Sequence, residues 1–194
     1  MDDLFKYQKE SIIGGLCAEY KDLWRACGSD KEKLLALSLR QQSIPHVVTF
    51  AYEKRGITKS YVKKEFADYI NGYVFHDVEN VKGYDYALFV DYDYDNDLVV
   101  EVDVANIMWT LGTSVVVPRT KCPILYVNNK SKIHLVCDGC NAVTIYLFDE
   151  SEVEIEELAD DSRVTVFKYG ERARVVEERF CLGKVNVFDK ELKL

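Results

Sequence analysis

Val143-Thr144-Ile145-Tyr146 returns as Val164-Thr165-Val166-Phe167 and again as Val185-Asn186-Val187-Phe188, each copy 21 residues after the last. One more step of 21 upstream stands Cys122-Pro123-Ile124-Leu125. A second series interleaves with the first at steps of 20: Thr113-Ser114-Val115, Ile133-His134-Leu135, Val153-Glu154-Ile155 and Ala173-Arg174-Val175. Two ladders sharing one period describe a chain that coils so that each turn stacks on the one before. The expected fold is a two-walled β-solenoid over residues 98–194, with about 20–21 residues per coil. A β-sandwich, which also shows turns every 8–12 residues, is the alternative.

Stacked coils place equivalent residues ~4.8 Å apart, so each repeat position becomes a column. Cys122/Val143/Val164/Val185 and Ile124/Ile145/Val166/Val187 are expected to line the inside of one wall. Ile133/Val153/Ala173 and Leu135/Ile155/Val175 supply the facing wall, and β-branched residues suit such a pleated surface. Pro123/Thr144/Thr165/Asn186 and His134/Glu154/Arg174 then point outward. Leu125/Tyr146/Phe167/Phe188 shares the outward parity but is apolar throughout. Either these side chains tuck into a corner, or they form a surface stripe covered by the helical head or by another subunit, since contiguous exposed apolar patches mark contacts. Leu125, Tyr146, Phe167 and Phe188 are therefore the candidate interface residues. The last rung of an open coil also presents unpaired N–H and C=O groups, a second candidate contact.

Upstream the period is helical. Ile12, Leu16, Tyr20, Leu23, Trp24 and Cys27 fall three and four apart in a helix expected over 4–27, with Gly28 as its stop. Ser29 and Glu32 have capping-box spacing before a second helix at 30–42. Pro45 and Gly56 bound a third at 45–55, and Thr58 caps a fourth at 59–70 that Gly72 closes. The result is an α+β chain: a four-helix head over 1–72, connecting strands with an acidic turn over 73–97, then the coil. No Gly/Ser- or Pro-rich linker intervenes, so head and coil are expected to dock.

Composition narrows the classes. Thirteen Tyr and nine Phe against three Pro favour packed strands over disorder. A net charge of −8 argues against broad binding to nucleic acid or to an anionic membrane face. Met1-Asp2-Asp3-Leu4-Phe5-Lys6 lacks a basic n-region and an apolar core, and no apolar run approaches the ~18 residues of a membrane span. Six scattered cysteines fit free thiols in a reducing compartment, so an intracellular setting is expected.

Four features bear on chemistry. Asp91, Asp93, Asp95 and Asp97 occupy ligand positions 1, 3, 5 and 7 of an EF-hand-like loop, which makes them weak candidate calcium ligands. Asn96 stands where that loop needs Gly and Val102 where it needs Glu, and a hairpin with one wet face shows the same alternation. Cys137-Asp138-Gly139-Cys140 is a lone CxxC in a turn, without the second pair that zinc requires. His134, Glu154 and Arg174 form a polar column that reads better as surface pairing than as a catalytic base with its orienters. Lys54, Arg55, Lys59, Lys63 and Lys64 flank a helix–turn–helix-like layout and are weak candidates for nucleic-acid contact, with Glu53, Glu65 and Asp68 interrupting the basic face. His46 and His76 have no partner evident in the sequence. The common hydrolase, P-loop, zincin and dinucleotide motifs are absent.

A helical head with Cys17-Ala18-Glu19-Tyr20-Lys21-Asp22-Leu23-Trp24-Arg25-Ala26-Cys27, followed by β-coil segments such as Ser162–Gly170 and Asn141–Asp149, resembles small proteins encoded by tailed phages and prophages of gut Bacteroidales, including crAss-like phages. The resemblance is architectural and spans most of the chain. It implies a phage-encoded accessory or virion component, placed in the host cytoplasm or assembled into a virion, without catalytic residues to carry over. The expected function is a non-enzymatic structural or protein-interaction component, homo-oligomeric or bound to another protein, without a cofactor. A counter-defence or ligand-sequestering module is the alternative. A DNA-binding regulator and a carbohydrate-active β-helix rank below both.

Overall fold

The computed structural model describes residues 18–40, 58–76, 83–93, 95–139 and 141–190. The third helix expected at 45–55 lies outside these residues, as do His46, Lys54, Arg55 and Cys140.

The described head holds α1 (Ala18–Cys27), α2 (Lys31–Arg40) and α3 (Lys59–Glu65), followed by a 3-10 turn at Ala67–Tyr69. Gly28 ends α1 in the left-handed conformation, φ +56°, which glycine adopts without a Cβ penalty. The cap of α2 is one residue later than its spacing suggests: Asp30 Oδ1, not Ser29, accepts from Lys33 N at 3.1 Å. Thr58 caps α3 as expected, its Oγ1 accepting from Tyr61 N.

From Asp85 the chain winds as eleven strands that alternate between two walls. One wall stacks β2 (Asp85–Val90), β4 (Val104–Met108), β6 (Ile124–Asn128), β8 (Ala142–Phe148), β10 (Arg163–Tyr169) and β12 (Lys184–Lys190), all parallel. The facing wall stacks β3 (Leu98–Val99), β5 (Leu111–Val117), β7 (Lys132–Cys137), β9 (Glu152–Leu158) and β11 (Arg174–Cys181), again parallel. This is a β-solenoid of about five turns. It begins at Asp85, earlier than the boundary at 98 expected from the repeat, because β2 already pairs in register with β4. β1 (Val74–His76) lies antiparallel on the outer edge of β2.

Corners make the coil close. After β2, β4, β6, β8 and β10 the chain turns through positive φ at Asp91, Trp109, Asn129, Asp149 and Gly170. Asp, Asn and Gly tolerate that conformation; Trp109 is the exception, held there with its ring mostly buried. Buried Thr110, Ser131 and Ser151 line this edge, and Ser131 Oγ accepts from Thr110 N of the coil before. At the opposite edge Asn141 donates to Pro118 O (2.8 Å) and Lys121 O (3.0 Å) and accepts from Gly139 N (2.9 Å).

Register matches the repeat where its steps are constant. Val143, Val164 and Val185 align, as do Tyr146, Phe167 and Phe188. One coil upstream the step is 20 rather than 21, with Leu125 level with Ile145 and Tyr126 level with Tyr146. The extra residue downstream comes from a bulge at Glu156, where Leu135 pairs with Ile155 but Val136 pairs with Glu157. A slip of one residue exchanges the two faces of a strand. Leu125 is thus fully buried inside the coil, and Cys122 is exposed instead of inward. In the facing wall Thr113, Ile133 and Val153 align as expected. The next step is 22, so Val175 rather than Ala173 lies level with Val153, and Arg174 lies level with Glu152, not Glu154. The corner Gly170–Ala173 is one residue longer than Asp149–Ser151, which accounts for that shift.

Two apolar clusters result. One fills the coil with Ile107, Val115, Leu125, Val127, Ile133, Leu135, Val143, Ile145, Val153, Ile155, Val164 and Val166, all at most 1% exposed. Full burial of each such side chain contributes about 1.5–3 kcal/mol. The second lies outside the coil, where Trp24 of α1, Leu34, Leu35 and Leu37 of α2, and Val62 of α3 cover Tyr86, Leu88, Val90, Met108 and Tyr126 of the larger wall. Head and coil are docked.

A candidate interaction surface at the open end of the coil

The outer face of the larger wall carries a ladder of stacked rings. Tyr126 and Tyr146 lie 4.9 Å apart, Tyr146 and Phe167 5.3 Å, Phe167 and Phe188 5.6 Å, with interplanar angles of 12°, 30° and 25°. A parallel ladder beside it pairs Phe148 with Tyr169 at 5.0 Å. The spacing is the strand repeat itself: parallel in-register strands force like residues into contact, and rings at that separation stack. Because the ring faces meet one another, the ladder presents ring edges outward.

Exposure rises along the ladder. Tyr126 is 2% exposed beneath the helical head; Tyr146 and Phe167 are half-buried; Phe188 is 47% exposed. Burial raises the Tyr126 hydroxyl well above the ordinary phenol range, with Tyr146, Tyr86 and Tyr169 adding to the effect. Of the four expected interface residues, three are thus brought together. Leu125 is replaced in the column by Tyr126, which a step of 20, the period of the facing wall, would have found.

The two ends of the coil differ. At the first rung β1 pairs with half of β2, and Asn71 serves the rest: its N donates to Leu88 O at 2.9 Å, its Nδ2 to Val90 O at 3.1 Å, and its Oδ1 accepts from Val90 N at 2.8 Å. At the last rung no described strand pairs with the outer edge of β12. Lys184 N donates to Ser162 O, so by strand alternation the main chain of Lys184, Asn186 and Phe188 faces β10. The N–H and C=O groups of Val185, Val187 and Asp189 face away from the sheet. Val187, in an inward column, is 42% exposed, and Leu182 at the adjoining corner is 75% exposed. Lys190 holds its ammonium 5.3 Å from the Phe167 ring centre, and Asp189 pairs with Lys168 at 2.8 Å.

The other candidates are bound up in local structure. Asp91 accepts from Lys59 and Lys63, each at 2.8 Å, and these lysines hold its carboxyl below its ordinary pKa against a smaller opposing effect of burial. Asp93 takes Asp95 N (3.1 Å) and Asn96 Nδ2 (3.3 Å) in its own turn. Asp95 and Asp97 sit in the same exposed loop. Among the described residues no group of three or more His, Cys, Asp or Glu side chains is placed to hold a metal ion. Of the basic cluster, Lys59 and Lys63 are engaged by Asp91, and Lys64 meets Glu65 at 3.1 Å. His134 Nδ1 lies 2.8 Å from Glu156 and 3.4 Å from Glu154. Arg174 is displaced from that column by the step of 22. His76, unassigned from sequence, lies 2.6 Å from Asp85. Cys137 is buried and Cys122 exposed, neither in a disulfide. No described helix is long and apolar enough to cross a membrane.

No protein-family model matches the chain, and comparisons with curated proteins and with solved structures found no significant match.

Proposed function

We propose that this chain is a non-enzymatic structural or protein-interaction component whose working surface is the last rung of its solenoid, with the aromatic ladder running into it. One observation carries the reading: the outer edge of β12, which no described strand pairs, adjoins exposed Leu182, Val187 and Phe188, so main-chain groups without a described strand partner and apolar side chains coincide. Edges of that kind are usually shortened, bulged or covered; at the other end of the same wall β1 and Asn71 cover β2, and the edge strand β3 of the facing wall is only two residues long. A phage-encoded virion or accessory protein is the setting the resemblance implies, and that part of the reading rests on the resemblance alone.

Photo-crosslinking tests it. A benzoylphenylalanine placed at Phe188, in cells that make the protein, is expected to give one discrete protein adduct, whether to a second copy or to another chain. The same probe at Val99, which is 50% exposed at the opposite end of the facing wall, is the control. No adduct at 188, or equal adducts at both positions, would overturn the reading.

A further inference from the structure

We propose that the occupant of the β12 edge is an extended segment of a different protein, apolar in its middle and acidic at both ends. The inference rests on the reading of the last rung as a contact surface and adds the chemistry of what binds there. Lys184 and Lys190 stand six residues apart, one at each end of the strand. Neither has a carboxylate partner among the described residues, whereas Asp189 between them is already paired with Lys168. The edge is therefore locally basic on a chain of net charge −8.

That pattern disfavours a second copy. Stacked parallel and in register, β12 would set each lysine against itself. Paired antiparallel about Val187, it would set Lys184 against Lys190. Like charges directly opposite destabilise a strand pair, and terminal lysines are a common guard against self-pairing. Head-to-tail growth is also obstructed, because β1 and Asn71 occupy the edge of β2 that β12 would have to meet. An acid-flanked strand meets no such obstacle. It gains main-chain bonds from Val185, Val187 and Asp189, continues the valine column inward, and sets opposite charges at both ends.

The chain itself contains a strand of the required kind. Asp85-Tyr86-Ala87-Leu88-Phe89-Val90-Asp91 has its acids six residues apart, matching Lys184 and Lys190. Laid parallel with Asp85 opposite Lys184, it sets Leu88 opposite Val187, Phe89 opposite Phe188 and Asp91 opposite Lys190. A fluorescein-labelled peptide of residues 85–91 is therefore the probe, and the same peptide with lysine in place of both aspartates is its control.

Fluorescence anisotropy against the full chain should show saturable binding of the acidic peptide and roughly tenfold weaker binding of the lysine peptide. Val187→Pro should abolish binding, because that N–H faces the free edge and its loss leaves the ladder to β10 intact. Should this variant fail to keep the wild-type circular dichroism, the pair Lys184→Glu and Lys190→Glu supplies the test by inverting the preference between the peptides. Equal binding of both peptides would overturn the charge assignment while leaving the contact surface standing. Sedimentation showing a dimer that neither peptide disperses would assign the edge to a second copy, again overturning only this inference. A monomer that binds neither peptide and gives no adduct at Phe188 would overturn both.

Discussion

Gly183 shows how one residue answers to a count made elsewhere in the chain. The corner between β9 and β10 uses four residues, Ala159–Ser162, whereas the corner between β11 and β12 uses two, Leu182 and Gly183. The shorter corner absorbs the residue gained in the corner Gly170–Ala173 and the one gained within β11, and restores the step of 21 between β10 and β12. It also pulls the backbone against the preceding coil: Leu182 N and Gly183 N both donate to Leu158 O, and a Cβ on Gly183 would lie 2.4 Å from Ala159 O and 2.5 Å from Ser162 O. Neither obstacle is a flexible side chain. Gly183→Ala should destabilise the protein by about 1–3 kcal/mol, read as a lower urea midpoint. Asp91 offers a pH test. Its folded carboxyl titrates below the ordinary value of 3.8 because Lys59 and Lys63 hydrogen-bond to the charged form. The stabilisation is therefore complete above that ordinary value and is lost as pH falls through the lower, folded one. With both lysines about half exposed, the pairs contribute about 1 kcal/mol or less. Asp91→Asn should cost about that much near pH 7 and nothing once wild-type Asp91 is protonated, checked by urea unfolding of both proteins at neutral pH and in a series descending below the ordinary carboxyl value of 3.8, along which the difference should shrink to zero.

Among the elements, the strands were legible in the sequence and their counting was only partly so. Alternation of Val, Ile and Thr with turn residues located β8, β10 and β12, and the constant step of 21 set their register. Where the step changes, the cause is a bulge at Glu156 or a corner longer by one residue, and neither leaves a mark in composition. Leu125 was misplaced for that reason, and Tyr126 was missed. Arg174 moved away from His134 for the same reason. Spacing alone made the acidic run a weak calcium candidate beside the reading of a hairpin with one wet face; it could not show that two lysines from a helix distant in sequence take its first carboxylate. Asn71 gave no sequence signal at all: a lone Asn before Gly reads as a turn, whereas its amide stands in for a strand residue on β2. Asn71→Ala should leave Val90 N–H without its acceptor. The expected result is faster hydrogen exchange at Val90 with little change at Ala105 and Ile107 of β4, resolved by NMR.

At the scale of the whole molecule, the head and the first rungs form one packed unit, and the order of the remaining rungs is a sequence of near-identical contacts. Trp24, Leu34 and Val62 cover the first rungs of the larger wall, so burial of the ring ladder falls away towards Phe188. The described helices were legible from their periodicity and from the stop at Gly28, whereas the helix expected to run to 70 and close at Gly72 ends at Glu65, where Phe66 caps it and a separate 3-10 turn follows. The head's docking site was legible in part: the aromatic column called for a cover by the head or by another subunit, and the head lies over Tyr126 while Phe188 stays exposed. What distinguishes the two ends is therefore tertiary: a cap built from β1 and Asn71 at one, and an open rung with two lysines at the other.

A coil in which each rung touches only its neighbours has a mechanical consequence. Pulled from the C-terminal end, β12 bears the load first, and its only described strand partner is β10. Each rung that peels away hands the tension to the next, which is held by nearly the same contacts. The chain should lengthen in increments of one coil, 21 residues between Phe167 and Phe188 and 20 between Tyr126 and Tyr146. That is about 70 Å of extended chain per rupture. The force should rise only where the remaining rungs are those clamped beneath the helices.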